Sequence, residues 1–318
     1  MKFYTKKTIE LSREEKESLI KLYNETFDEK RTLEEFDRQF LNNPLGYSYH
    51  TIGDNDGEII SSNTMIPAYY TINGKKLLFV CSVDTMVDKN HRGIENFYDT
   101  SKESFRVSEE IGAKAVYGFP NDNSYTLFTK LKFMKDIGKL KTYCLPYRIG
   151  GIKPSMTIFN IVSILFCRLW ISISSLFASR DLHDFTIEKE SDSYNATRYK
   201  RADANYVVAG DKGCQFAYKI MNYDGIRTAF LIDVFNKSAK NFCKAVNYIV
   251  RNEENRFDLL LYVGDLPFSH YGMVKIPKKF EPKDFNFTGA IIDKEAISKE
   301  AFFNQSNWDV NLSNYDLL

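Results

Sequence analysis

The hydrophobic pattern of the chain starts in short elements. Residues 3 to 9 read as a strand, and Ser12 then stands as a helix N-cap with Glu15 three residues on as its capping-box partner. Leu19, Leu22, Tyr23 and Phe27 follow at helical spacing and give one apolar face. A second helix is expected over 32–41, with Leu33, Phe36, Phe40 and Leu41, and Pro44 and Gly46 follow as breakers. Strand patterns then occupy 47–52 and 58–70, and a tight Asn73-Gly74 turn returns the chain along 76–87. Along that last strand Cys81, Val83 and Thr85 alternate with Ser82, Asp84 and Met86.

A helix over 97–111 closes on Gly112, and a short apolar strand (115–119), a helix (124–131) and a strand near 140–148 follow. Two helices, a meander, then alternating strands and helices predict an α/β (α+β) fold: a mixed, mostly antiparallel sheet flanked by helices. From Phe185 onward strands are expected at 186–189, 206–209, 215–222 and 226–235, the last two a hairpin about Tyr223-Asp224-Gly225. A helix over 238–252 turns Phe242, Val246 and Ile249 to one side, 257–263 is a buried strand, and 289–292 and 308–312 are late strands. The second half echoes the first in pattern, which suggests a tandem: domains at 1–150 and 185–318, joined by an apolar helix over 151–184.

That joining segment, 156–179, is dominated by Ile, Leu, Phe and Trp and is long enough to cross a bilayer. Arg168 near its centre costs about 2.5–3.5 kcal/mol on insertion scales. Asn160, Arg168, Ser172, Ser175 and Ser179 form a narrow polar stripe. Three readings stay open: a buried or partner-facing helix, a helix lying in a membrane interface, and a span.

Composition narrows the function. At 318 residues two domains are favoured over one. A net charge of +1 gives no reason to expect a nucleic-acid partner. The five cysteines, Cys81, Cys144, Cys167, Cys214 and Cys243, form no paired motif and do not group with histidines, so neither a metal site nor a disulfide framework is expected. Isolated groups such as Asp258, Asp265 and His270 read as structural. The expected location is the reducing cytoplasm, or peripheral at the inner membrane face through 156–179.

Chemistry concentrates between Met86 and Phe133. A strand ending in Val87-Asp88-Lys89-Asn90-His91-Arg92-Gly93 and leading into a helix points free amides and a helix dipole at one place. That suits a pyrophosphate, with His91 and Arg92 as side-chain donors.

The stretch from Val87 to Phe133 resembles the acetyl-coenzyme-A-binding core of the GCN5-related N-acetyltransferases. Arg92 falls at the first position of that family's Arg/Gln-x-x-Gly-x-Gly/Ala turn. Asn121, Ser124, Leu127, Lys130 and Phe133 fall in register with its Asn-x-x-Ala-x-x-Leu-Tyr-x-Lys-x-Gly-Phe element. The resemblance covers roughly residues 1–150 and implies the acyl-CoA N-acyltransferase fold, duplicated in the second half, with acetyl-CoA as co-substrate and no metal. It implies coenzyme contacts from Met86, Val87, Arg92, Gly93, Ile94, Glu95, Asn96, Phe97, Asn121 and Ser124. The implied reaction is direct attack by a small-molecule amine on the thioester, the oxyanion held by an amide near Met86 or Val87. Asp84 is then the expected base and Tyr125, one helical turn before Phe128, the expected acid.

The sequence departs from the pattern at four places. Glu95 replaces the central glycine, where a carboxylate would oppose the pyrophosphate. Phe97 replaces Gly or Ala, where a side chain would obstruct close backbone approach. Phe128 replaces the acid tyrosine, and Lys132 the turn glycine. The alternatives are a degenerate binding or scaffold protein of the same fold, and a Fem-type aminoacyl transferase.

Overall fold

The computed structural model describes residues 1–190, 197–199, 205–281 and 285–315. In chain order it runs β1 (Lys2–Lys7), α1 (Arg13–Phe27), α2 (Leu33–Leu41), β2 (Tyr49–Asn55), β3 (Glu58–Ile72), β4 (Lys75–Val87), α3 (Ile94–Glu110), β5 (Ala115–Gly118), α4 (Asp122–Lys130) and β6 (Lys135–Leu145). Then come α5 (Asn160–Phe177), β7 (Ile187–Lys189), β8 (Val207–Asp211), β9 (Cys214–Tyr223), β10 (Ile226–Val234), α6 (Ala239–Asn252), β11 (Leu259–Gly264), β12 (Val274–Lys275) and β13 (Phe285–Ile291). The mixed, mostly antiparallel sheet flanked by helices is as expected. Residues 308–312 form no strand: Trp308 and Asn311 are single bridge residues, the latter opposite Gly264.

The first compact unit comprises Met1–Lys139, Thr186–Arg201 and Phe285–Gln305, and the second Leu140–Phe185, Ala202–Asp284 and Ser306–Leu318. The units interleave rather than following one another, because strand pairing brings the chain back to the first unit twice. β7 pairs antiparallel with the end of β3, and β13 pairs antiparallel with β5. The apolar segment 156–179 belongs to the second unit.

In the first unit the sheet order is β1-β2-β3-β4-β5-β13. Every neighbouring pair is antiparallel except β4 and β5, which are parallel. The hairpin between β3 and β4 turns on Asn73 (φ +50°) and Gly74 (φ +75°), the left-handed pair that a two-residue turn demands. Helices α1 and α2 each start on a full capping box, Ser12 with Glu15 and Thr32 with Glu35. One core cluster joins Leu19, Ile20, Phe36, Phe40 and Ile52. Another joins Tyr49, Met65, Val80, Phe97, Val116, Phe128 and Met134.

In the second unit the order is β6-β11-β10-β9-β8, with β12 also on β6. Antiparallel β8, β9 and β10 lead through α6 to β11, which lies parallel to β10. This order of meander, helix and parallel strand is also that of β2 to β5.

His50 is fully buried in the first unit between Phe36 and Phe40, with Nε2 on Thr8 Oγ1 at 2.9 Å and Nδ1 on Thr64 Oγ1 at 3.1 Å. Burial, reinforced by the charges of Lys16 and Arg31, pushes its pKa down to about 3, so the folded protein holds it neutral. The unfolded chain protonates it below the usual histidine value near 6.5. Stability contributed here is therefore complete above that value and falls as the pH drops from about 6.5 toward 3. Between pH 7 and 5 this one group is expected to cost about 2 kcal/mol of unfolding free energy. Urea unfolding at the two pH values checks it: His50→Gln should show a correspondingly shallower loss, and an unchanged loss refutes the assignment.

Candidate coenzyme site at the end of the parallel strand pair

The ladder between β4 and β5 runs from Phe79–Ala115 to Ser82–Gly118 and stops there. Among the described residues β4 continues to Val87 paired only with β3, while the chain beyond β5 turns away through Phe119 and Pro120 into α4. Alternate amides and carbonyls of residues 83–87 therefore face a side with no strand on it.

At this point β4 carries a bulge. Ser62 pairs with Met86 and Thr64 with Val83, so Asp84 and Thr85 together face Asn63, and Asp84 takes φ +47°. The regular alternation expected along 81–86 is broken at this bulge. Asp84 forms an ion pair with Arg31, both side chains only 8% exposed, and the guanidinium lies over the ring of Tyr23 at 3.3 Å. Arg31 itself is fixed by its amide, which donates to Asn24 Oδ1 at 2.7 Å. Nothing in the sequence marked Arg31, which lies far from Asp84 along the chain and before α2. The structure thus places Asp84, the expected base, in a buried ion pair.

The turn after β4 is organised by Asp88. Its Oδ1 accepts from the Asn90 amide at 2.9 Å and lies 2.9 Å from His91 Nδ1, which holds the carboxyl below its usual range. Asn96 Nδ2 donates to the His91 carbonyl at 2.8 Å. Helix α3 then begins at Ile94 with Gly93 as N-cap, and no side chain caps it. The first amides of α3 are accordingly open to a ligand. Arg92, Gly93, Ile94 and Glu95 are exposed beside them. Glu95 sits in the first turn, where the helix dipole favours a carboxylate.

Helix α3 starts three residues earlier than the sequence pattern suggested, and this relocates Phe97. Its ring is buried against Phe128, with centroids 4.9 Å apart, so it points into the core and not at the turn. Phe128 is likewise core. Asn121 is the N-cap of α4, its Oδ1 accepting from the Ser124 amide at 3.0 Å. Tyr125 donates to Asp136 Oδ1 at 3.3 Å, and its pKa is raised by burial and by that carboxylate. Lys132 takes φ +62°, the left-handed conformation that a glycine at this position would supply without strain. Asn286 of β13, unmarked in the sequence, ties down the loop before α4 by donating to Asp122 Oδ1 at 3.1 Å and the Pro120 carbonyl at 3.3 Å.

Between the strand ends and α3 lies a buried polar layer. Ser61 Oγ and Thr100 Oγ1 are 2.7 Å apart, and Ser82 Oγ donates to Asn63 Oδ1 at 3.1 Å. Asn63 is fully buried, yet its Nδ2 has no partner among the described residues. An unpaired donor there costs on the order of 1–3 kcal/mol, which a polar ligand beside Ser82 would recover. The open strand edge, the orphan amide and the uncapped helix start are compatible with an acyl-coenzyme A: residues 83–87 along its arm and Arg92 with the first amides of α3 at its phosphates.

The corresponding end of β10 and β11 is closed. β10 has its own bulge between Leu231 and Asp233, and Asp233 accepts from Asn311 Nδ2 at 2.6 Å and Ser313 Oγ at 3.2 Å. The Asp265 amide donates to the Val310 carbonyl and the Leu312 amide to the Val263 carbonyl, both at 3.2 Å. The chain's own C-terminal segment thus lies along that strand end.

Cys144, Cys167 and Cys243 carry no nucleophile signature. Burial pushes Cys144 up to about 11 and Cys167 and Cys243 up to about 12.

No protein-family model matches the sequence, and no curated protein matches it. Solved structures do match. A GCN5-related N-acetyltransferase from Kribbella flavida aligns with TM-score 0.60 and 9% identity over 92% of this chain and 72% of its own. One from Anabaena variabilis aligns with TM-score 0.59 and 9% identity over 91% and 73%. Eis1 from Mycobacterium abscessus aligns with TM-score 0.57 and 10% identity over 93% and 75%.

Two outcomes check this geometry by urea unfolding. Arg31→Met should destabilise by about 3–5 kcal/mol by stranding a buried carboxylate, and Asp84→Asn added to it should restore much of the loss. Without that restoration, Arg31 acts by packing alone. Lys132→Gly should stabilise by about 1 kcal/mol; a loss would mean the left-handed conformation is not what limits this position. The chain has the fold of the GCN5-related N-acetyltransferases.

Proposed function

We propose that the chain is an N-acyltransferase that takes its acyl group from acetyl-CoA and gives it to a primary amine, such as an amino sugar or a sugar nucleotide. The observation that carries this reading is the open end of β4. Past Ser82 the strand loses its parallel neighbour, bulges at Asp84, and runs through a basic turn into an uncapped helix.

Bound acetyl-CoA would supply a thioester open to attack by the amine. An amide near Met86 or Val87 would donate to its carbonyl oxygen, where negative charge develops, and Val87 is the one of the two whose amide faces away from β3. Arg92, Gly93 and the first amides of α3 would hold phosphate. Asp84, held by Arg31, sets the bulge that aims the strand amide, which makes it a positioning residue in this reading. A second reading, a coenzyme binder without turnover, is favoured by one feature: Phe128 is core, and the hydroxyl of Tyr125 is engaged with Asp136.

Calorimetric titration with acetyl-CoA, paired with an assay for thiol release over a panel of primary amines, tests this. Binding is expected, weakened roughly tenfold in Arg92→Ala by loss of about 1.4 kcal/mol of phosphate contact. Glu95→Gly should tighten it about fivefold by removing roughly 1 kcal/mol of exposed like-charge repulsion. Heat with no thiol release from any amine selects the second reading. The absence of heat at millimolar coenzyme overturns both.

A further inference from the structure

Helix α5 is two-faced. Cys167 and Ile171, with Ala178 just past the helix end, belong to the core of the second unit with Phe242, Cys243 and Val246 of α6, and Ile164 packs against it. The opposite face is bare. Of the 21 large hydrophobic residues exposed among the described residues, 11 lie between Ile158 and Phe177. Ile161, Leu165, Leu169 and Leu176 form a stripe along the helix, flanked by Phe166 and Ile173, and Leu176 is 74% exposed. So large a contiguous apolar surface marks an interaction site.

The helix cannot leave the unit to cross a bilayer without breaking what holds it along its length. Gly150 donates to Asn160 Oδ1 at 2.7 Å, and Ser163 Oγ to the Tyr147 carbonyl at 2.9 Å. Arg168 donates to Glu254 Oε2 at 2.5 Å and to Tyr147 Oη at 3.2 Å, and Trp170 Nε1 to the Met273 carbonyl at 2.9 Å. Arg168, costly in a span, is paired here on the edge of the bare face. With its inner face buried, the outer face presents a flat apolar strip about 27 Å long, from 18 residues at 1.5 Å each.

Charge selects the occupant. From Arg148 to Arg180 the chain holds four cations, Arg148, Lys153, Arg168 and Arg180, and no Asp or Glu. Lys153 and Arg180 are exposed, before and after the helix, and exposed Lys275 follows the Met273 carbonyl that Trp170 holds. Pairing this helix face to face with the same face of a second copy would bring cation onto cation, whether the helices ran parallel or antiparallel. An anionic bilayer surface matches both the strip and its charges.

We propose that α5 docks the protein flat on an anionic lipid bilayer, with its aliphatic face among the acyl chains and Lys153 and Arg180 at the headgroups. This rests on no coenzyme chemistry. Flotation of the full chain with phosphatidylcholine vesicles, with and without phosphatidylglycerol, tests it. The protein should float with the phosphatidylglycerol vesicles and much less with phosphatidylcholine alone. Leu165→Glu with Leu169→Glu should lose at least tenfold in the bound fraction while keeping its thermal melt, since both sites are solvent-facing. Lys153→Glu with Arg180→Glu, which leaves the apolar strip intact, should lose several-fold on the anionic vesicles only. Failure of the unaltered chain to float overturns the proposal. So does self-association in lipid-free buffer that the Leu165→Glu and Leu169→Glu pair abolishes, which would assign the face to a second copy.

Discussion

The candidate site depends on one buried ion pair. Asp84 sits in the left-handed region at a bulge, a conformation that costs of order 1–3 kcal/mol outside glycine, and Arg31 holds its carboxylate there. The bulge lets β4 turn its last residues out of register with β3 just where β5 has ended. From that point the chain can present backbone groups to a ligand, pass through the Asp88 turn and deliver the uncapped start of α3. A buried ion pair is seldom a net source of stability. Its use here is to fix one local geometry.

Around that point the fold divides its polar groups sharply. His50 is enclosed by aromatic rings and kept neutral, while Asn63, equally buried, keeps one amide hydrogen pair unspent beside Ser82. The second unit has the same order of strands and helix, with a bulge at Asp233, but Asn311 and Ser313 satisfy that carboxylate. One strand end is left open to a ligand and the other is filled by the chain itself.

Local signals were legible in the sequence. The capping box at Ser12, the Asn73-Gly74 turn and the C-cap at Gly112 each depend on residues within a few positions of one another. What was not legible depends on register or on distant chain. The bulge at Asp84 needs the pairing of β3 to be known, and alternation alone concealed it. Arg31 meets Asp84 only through the packing of α1 and α2 on the sheet. The register of the resembled motif put Phe97 in the turn, whereas α3, starting at Ile94, carries its ring into the core. The interleaving of the units follows from β13 returning to β5, a pairing that no local pattern encodes. For α5, hydropathy gave the length of the apolar run, but only packing showed that one face is spent and the other bare.

Acetyl-CoA bound as proposed would lie on the backbone from the bulge to the start of α3. Amide hydrogen exchange of the intact chain, with and without saturating acetyl-CoA, measures this directly. New protection is expected to concentrate in residues 83–97, with the strand end of β10 and β11 unchanged. Unchanged exchange in 83–97, or protection appearing in the second unit instead, would contradict it.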